Sequence, residues 1–180
     1  MQYVFLALVL TVLTISVVRM QLGRRDSVPL RREAEGQEIT FRLRLDNVRV
    51  FEKSGAADAR GGMALIVRTD TFEVTATTQL FRSIFGMEYY FRARDTTIEM
   101  GELPPLSLFG GKKAWILVRG QRGSRTTGLA IASKNYMYDA WVALVGAGAV
   151  PIGPPPPMPP SGRPASASAD PGASEWLSYS

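Results

Sequence analysis

Apolar and polar residues alternate with a period of two along much of the chain. In the first such run, residues 39–45, every second residue is apolar. This alternation predicts a β-strand with one face on a core. Similar or wholly apolar runs predict further strands at residues 63–67, 72–76, 87–93, 97–100, 115–118 and 127–131. The Thr69–Asp70 pair and the Gly120–Ser124 segment separate neighbouring runs and predict the turns of two hairpins.

The period changes near residue 137, where apolar and small residues begin to recur every three or four positions. They form one stripe made of Met137, Ala140, Trp141, Leu144, Val145 and Gly148. This spacing predicts an amphipathic helix. We expect Ser133 or Asn135 to cap its start, and Gly146, Gly148 and Pro151 to end it. The fold class is therefore mainly β, with six to eight antiparallel strands followed by one helix.

The first segment has a different pattern, because an apolar run extends from Tyr3 to Val18 with no polar face. A helix needs about 20 mostly apolar residues to cross a bilayer, with about 17 as the lower end. Residues 1–22 therefore predict a transmembrane anchor. A cleaved secretory signal would need basic residues before the apolar run and a small-residue cleavage site after it, and the sequence shows neither.

Charge around this run predicts its orientation. Only the terminal amine precedes the run, whereas arginines follow it at positions 19, 24, 25, 31 and 32. Because positive charge is retained on the cytoplasmic side, we expect a single-pass protein of the cell membrane with its N-terminus outside and its C-terminal domain cytoplasmic.

Composition separates three further regions. Residues 23–37 are rich in Arg, Glu and Gly without an apolar period, which predicts a basic juxtamembrane linker. Residues 38–150 carry the strand and helix patterns and predict one β domain. Residues 151–180 are rich in Pro, Ser and Ala and predict a disordered tail, because such a segment buries too little apolar surface to fold.

The residue types present argue against catalysis. The chain has no histidine, which removes the usual general base and the commonest transition-metal ligand. Its carboxylates lie on separate predicted elements without the spacing of a metal site, and no phosphate-binding loop is found. We therefore expect neither an enzyme nor a bound cofactor or metal. The absence of cysteine fits a reducing cytoplasm.

A formal net charge of +5 favours anionic partners, and the bilayer is the nearest one. The candidate binding residues are five basic side chains on and between the first two strands: Arg42, Arg44, Arg49, Lys53 and Arg60. Each would contribute about 1 kcal/mol at an anionic lipid surface. The alternative interpretation is a solvated strand face. Scattered basic residues without a recognition motif argue against nucleic acid.

The order of elements resembles the pleckstrin-homology-like (PH-like) superfold. The resemblance is carried by the strand at Asp95–Met100, the hairpin Lys113–Arg119 and Thr126–Ala132, and the helix that contains Trp141. It covers residues 38–150 and implies that the helix plugs one open end of a bent barrel. Phosphoinositide-binding members carry basic residues on the first two strands, but the spacing here does not reproduce their pattern. The resemblance implies an interaction module.

Together these features predict a non-enzymatic, membrane-anchored binding module. Its cytoplasmic PH-like domain would engage a protein or anionic lipid headgroups at the membrane. The alternative is a structural or assembly subunit of a membrane complex that recruits a protein partner through the Pro-rich tail. In that tail, Pro154–Pro160 can adopt a polyproline II helix, and Trp176, Leu177 and Tyr179 resemble a short docking motif.

Overall fold

A computed structural model describes residues 28–52, 55–78, 88–103, 113–122 and 125–158. The predicted transmembrane anchor and residues 159–180 of the predicted tail lie outside these ranges. Across the described ranges, no helix combines the length and the apolar character that crossing a bilayer requires.

The fold is mainly β, as the alternation predicts. Its eight strands are β1 (Ile39–Glu52), β2 (Gly55–Arg68), β3 (Thr71–Ala76), β4 (Glu88–Arg92), β5 (Thr96–Leu103), β6 (Lys113–Arg122), β7 (Arg125–Ala132) and β8 (Val150–Ile152). A helix, α1, covers residues 28–35, and a second helix, α2, covers Met137–Gly146. A 3-10 turn, Ala93–Asp95, joins β4 to β5.

The strands form one open sheet in the order β4-β3-β2-β1-β7-β6-β5-β8. All pairs are antiparallel except the parallel pair of β5 and β8. The turn predicted at Thr69–Asp70 is confirmed between β2 and β3. The second turn is shorter than predicted, because β6 continues through Gly120 to Arg122 and pairs there with Arg125. The prediction that Gly120 begins a turn is therefore wrong.

The sheet curves around one core. Strands β4 and β5 are far apart in the sheet order, yet one 3-10 turn connects them, and buried residues from β1 to β7 and α2 form a single cluster. Phe72 of β3 stacks on Phe91 of β4 with ring centroids 5.0 Å apart. A Cβ atom on Gly120 of β6 would lie only 2.6 Å from Phe91 Cδ1. The glycine therefore lets β6 approach β4 across the core.

A register shift divides β1 into two halves. The pairing with β2 shifts between Leu45 and Asn47, opposite Gly62, whose φ of 66° suits a bulge. As a result, Leu45 and Val48 both face the core although three positions separate them. The residues after the shift therefore point to the opposite face from the one that unbroken alternation would give them. This decides where the basic side chains of β1 lie.

Helix α2 covers one end of the core. Its buried apolar side chains are Ala140, Trp141 and Leu144, which confirms the predicted stripe, although Val145 is 37% exposed at its margin. Neither Ser133 nor Asn135 caps it: Tyr136 precedes the first turn without a side-chain cap, so that prediction is wrong. Gly148 ends the helix as predicted, with a φ of 104°.

The carbonyls of the last turn of α2 are satisfied by the backbone. The Gly148 N–H donates to the Val145 carbonyl at 2.9 Å, and the Ala149 N–H donates to the Leu144 carbonyl at 3.0 Å. This pair of bonds is a Schellman motif with glycine at its left-handed position. The chain then forms β8 at residues 150–152, so ordered structure enters the segment whose composition predicts a tail.

Helix α1 lies within the predicted linker and docks on the sheet. Its Glu33 carboxylate accepts hydrogen bonds from Arg92 of β4 at 2.7, 3.0 and 3.2 Å, and Ala34 is 1% exposed. The hydrogen bond from Arg92 lowers the pKa of Glu33. After the helix, the Gln37 side chain accepts hydrogen bonds from the Asp70 N–H and the Thr71 hydroxyl. The sequence did not predict this helix, because residues 23–37 have no apolar period.

Candidate functional site

The candidate basic residues occupy different environments. Arg44 is exposed and Arg42 is half-buried. Arg49 is 6% exposed, and its guanidinium carbon lies 5.3 Å from the centroid of the Trp115 ring, at a distance typical of a cation–π contact. Arg60 pairs through its backbone with Asn47, while its side chain and the whole of Lys53 lie outside the described atoms.

The register shift in β1 places Arg49 on the same face of the sheet as Arg42 and Arg44, opposite the main core, but Arg49 is buried there. Arg42 and Arg44 pair with Ile66 and Ala64 of β2, and Arg49 pairs with both Asp58 of β2 and Ala130 of β7. Trp115 and Ala130 belong to a second buried cluster on the face of the sheet opposite the main core. Arg49 is therefore part of the packing of that face. The described side chains of the basic set do not form one exposed patch.

A groove of about 460 Å³ lies between α2 and the end of the sheet formed by the start of β1 and the end of β2. Its lining residues are Thr40, Phe41, Arg68, Thr69, Tyr138, Asp139, Val142, Ala143, Gly146 and Ala147. Binding sites for small or extended ligands have this character, with an apolar lining and a few polar groups.

The sequence of α2 creates this groove through a second helical stripe beside the buried one. Tyr138, Val142 and Gly146 follow one another at intervals of four, so they share one side of the helix. Ala147 and Gly146 are small, and a Cβ on Gly146 would meet no atom within 4 Å. Val142 is 49% exposed. The small residues leave space, and the valine leaves apolar surface facing water.

The groove adjoins an open strand edge. Pairing of β1 with β7 begins only at Asn47, so among the described strands residues 39–45 pair with β2 alone. Past the end of β7 the Lys134 N–H donates to Asp46 Oδ2 at 2.6 Å, and the chain leaves the sheet to form α2. Unpaired N–H and C=O groups on such an edge can pair with another chain.

The groove carries one charge of each sign. Asp139 is 8% exposed in the first turn of α2, where the helix dipole favours a carboxylate. Arg68 donates from Nη2 to Glu73 Oε1 at 3.3 Å, while its buried Nη1 has no hydrogen-bond partner among the described residues. Net charge therefore does not select an acidic or a basic ligand, and selection rests on apolar contacts and backbone pairing.

Behind Arg68, Glu73 also interacts with Tyr90, which is 7% exposed. Burial, and secondarily the nearby Glu73 carboxylate, raises the pKa of Tyr90 well above its usual range. The phenol therefore stays neutral at physiological pH. In the part of the chain that is described, no cluster of three or more acidic residues has a geometry that could hold a metal ion.

No protein-family model matches this sequence, and a search of curated proteins finds no match. The groove must therefore be interpreted from its own geometry. The sequence pattern did not predict the groove, because its apolar residues are typical of an ordinary helix surface. In the sequence, the one signal for the groove was the set of small residues at positions 143, 146 and 147 beside Val142, whose side chain the structure shows to be exposed.

Proposed function

We propose that this chain is a membrane-anchored protein-binding module and that the groove between α2 and β1 holds part of its partner. The observation that supports this proposal is the apolar groove beside an open strand edge. Apolar surface gains about 25 cal/mol for each Å² that a partner removes from water. The proposed activity is the positioning of another protein, with no chemical step.

The architecture supports a PH-like barrel as part of this proposal. The first seven strands follow the order β4-β3-β2-β1-β7-β6-β5, and the helix after β7 packs Trp141 into the core. Strand β8 is an addition to that arrangement. Because one superfold can serve lipid, peptide and protein partners, the groove, and not the fold, supports a protein as the partner.

Tethering limits where the partner is found. If residues 1–22 cross the membrane, only residues 23–27 separate the anchor from α1, and five residues span at most about 18 Å. Helix α1 is fixed to β4 by Glu33 and Arg92, and the chain passes from α1 directly into β1. On that premise the groove would lie close to the bilayer, on the side that the charge pattern predicts to be cytoplasmic. A partner at or in the same membrane fits this position.

Anionic lipid is less well supported as the ligand. Of the three candidate basic side chains that the structure describes, Arg49 is packed on Trp115, which leaves Arg42 and Arg44. At about 1 kcal/mol for each side chain near an anionic surface, two residues contribute about 2 kcal/mol. By themselves these two described side chains contribute too little for a stable lipid-specific site.

Photo-cross-linking in the native membrane tests the proposal. A photoreactive benzophenone side chain replaces Val142 in the groove or, as the matched control, Val145, which lies on the same helix but does not line the groove. We expect a discrete protein adduct from position 142 and none from position 145. Lipid adducts alone from position 142, or the same adducts from both positions, would contradict a protein-binding groove.

A further inference from the structure

The unpaired half of β1 shows how a partner would bind. Residues 47–51 of β1 pair on one side with β2 and on the other with β7, so this half is an interior strand. Residues 39–45 keep the β2 side, with a second register shift at Thr40, but among the described strands no neighbour continues the row that β7 occupies. No strand of the described ranges takes the place beside them, which is about 20 Å long at about 3.4 Å per residue.

Helix α2 borders this place. It contacts β1, and Val142, Ala143 and the following Ala147 line the groove together with Phe41. A strand added to β1 would direct alternate side chains toward the groove and the others toward water. Its backbone would pair with the open edge, and its inward side chains would cover the apolar surface of Val142.

We propose that the ligand is an extended segment of a separate protein that adds to the β1 edge as a strand, with apolar side chains two residues apart seated in the groove. This inference rests on the proposed function. Backbone pairing supplies affinity that is independent of sequence, and the groove selects the alternate side chains. Continuity with the row occupied by β7 is what favours a strand over a bound helix.

The chain itself shows that its sheet accepts such additions. Val150–Ile152 adds to Thr97–Glu99 at the β5 end of the sheet as a parallel strand of three residues. Pro151 within it lacks an N–H, and four prolines follow at 154–157, so this pairing stops early. The β5 edge is therefore partly occupied by the chain's own segment, whereas among the described strands the β1 edge beside the groove is not.

The test begins with the full chain in nanodiscs of phosphatidylcholine. A random nonamer library displayed on phage is selected against this protein, and nonamers that also bind Val142→Glu are discarded. We expect the selected sequences to share apolar residues two positions apart. Failure to select any nonamer that depends on Val142 would overturn the proposed function, and this inference with it.

The selected nonamer is then synthesised as a series with one backbone nitrogen methylated at a time. In an added strand, only alternate N–H groups face the neighbouring strand. We expect methylation at every second position to weaken binding about tenfold or more, which corresponds to about 1.4 kcal/mol per factor of ten. The intervening positions should tolerate methylation. Since the protein is unchanged throughout, a folding defect cannot mimic this pattern.

Two results would overturn the strand but leave the groove in place. One is a loss of binding at positions three and four apart, as in a helix, and the other is no dependence on methylation. Selection that succeeds only after residues 159–180 are removed would show that the chain's own tail is the occupant. Selection that succeeds only where the chain is monomeric would show that a second copy of the chain occupies the groove. Either result overturns a separate protein.

Discussion

Replacing Gly120 by alanine tests the claim that β6 meets β4 across one core. The added Cβ would lie 2.6 Å from Phe91 Cδ1 and 2.8 Å from Thr96 Oγ1. Carbon atoms prefer separations of about 3.5–4.0 Å, so the overlap with the ring is close to 1 Å. Phe91 is fully buried and stacked on Phe72, and Thr96 Oγ1 donates to the Arg92 carbonyl at 2.8 Å. Neither neighbour can move freely.

The magnitude follows from two opposing effects. Overpacking a core costs about 1–3 kcal/mol. Replacing glycine by alanine returns about 0.4–1 kcal/mol by restricting the unfolded chain. We therefore expect Gly120→Ala to lower the free energy of unfolding by about 0.6–2 kcal/mol, subtracting the lower limits and then the upper limits of these ranges.

Gly146→Ala is the matched control, because its Cβ would meet nothing within 4 Å and it lies in a helix. There we expect a gain of about 0.5–1 kcal/mol. Both variants are measured by urea unfolding of the full chain in detergent micelles, followed by tryptophan fluorescence. Equal stability changes in the two variants, or no loss in Gly120→Ala, would refute the close approach of β6 to β4.

Three further predictions concern the helices and the buried polar groups. Folding lowers the pKa of Glu33, so its ion pair with Arg92 stabilises the protein fully above the ordinary glutamate pKa and is lost on acidification. In urea unfolding below about pH 4, the wild type should therefore lose more stability than Glu33→Gln. Gly148→Ala should cost about 1–2 kcal/mol in the same assay, since φ is 104° there, and an unchanged urea midpoint would contradict the Schellman motif. Because folding raises the pKa of Tyr90, the phenol loses its proton at a lower pH in the unfolded state than in the folded state. The free energy of unfolding should therefore fall above about pH 10 in the wild type, and fall less in Tyr90→Phe.

The alternation of apolar residues predicted the strands because burial on one face imposes a period of two. It predicted where β1 begins but not the register shift at Asn47, since a bulge depends on a second strand and on Gly62. The face occupied by Arg49 follows from that shift. Periodicity alone could therefore not show on which face of the sheet Arg49 lies, and so could not test a candidate site that included it.

Helix α1 and strand β8 were not predicted for related reasons. Ala34 is the only residue of α1 that is buried, and the helix is fixed by the pairing of Glu33 with Arg92, 59 positions away in sequence. Strand β8 is only three residues long and contains Pro151. Contacts that are distant in sequence stabilise both elements, so local patterns carry little information about them. The groove is likewise formed by α2 and β1 together.

The affinity of the selected nonamer for two variants of α2 tests the central claim most directly. Val142→Glu places a charge in the groove, while Val145→Glu makes the same change on the same helix outside it. Isothermal titration of both full-length variants in phosphatidylcholine nanodiscs should show affinity at least about tenfold weaker for Val142→Glu, a loss of about 1.4 kcal/mol, and unchanged for Val145→Glu. Equal losses in the two variants, or none in either, would contradict a binding groove between α2 and β1.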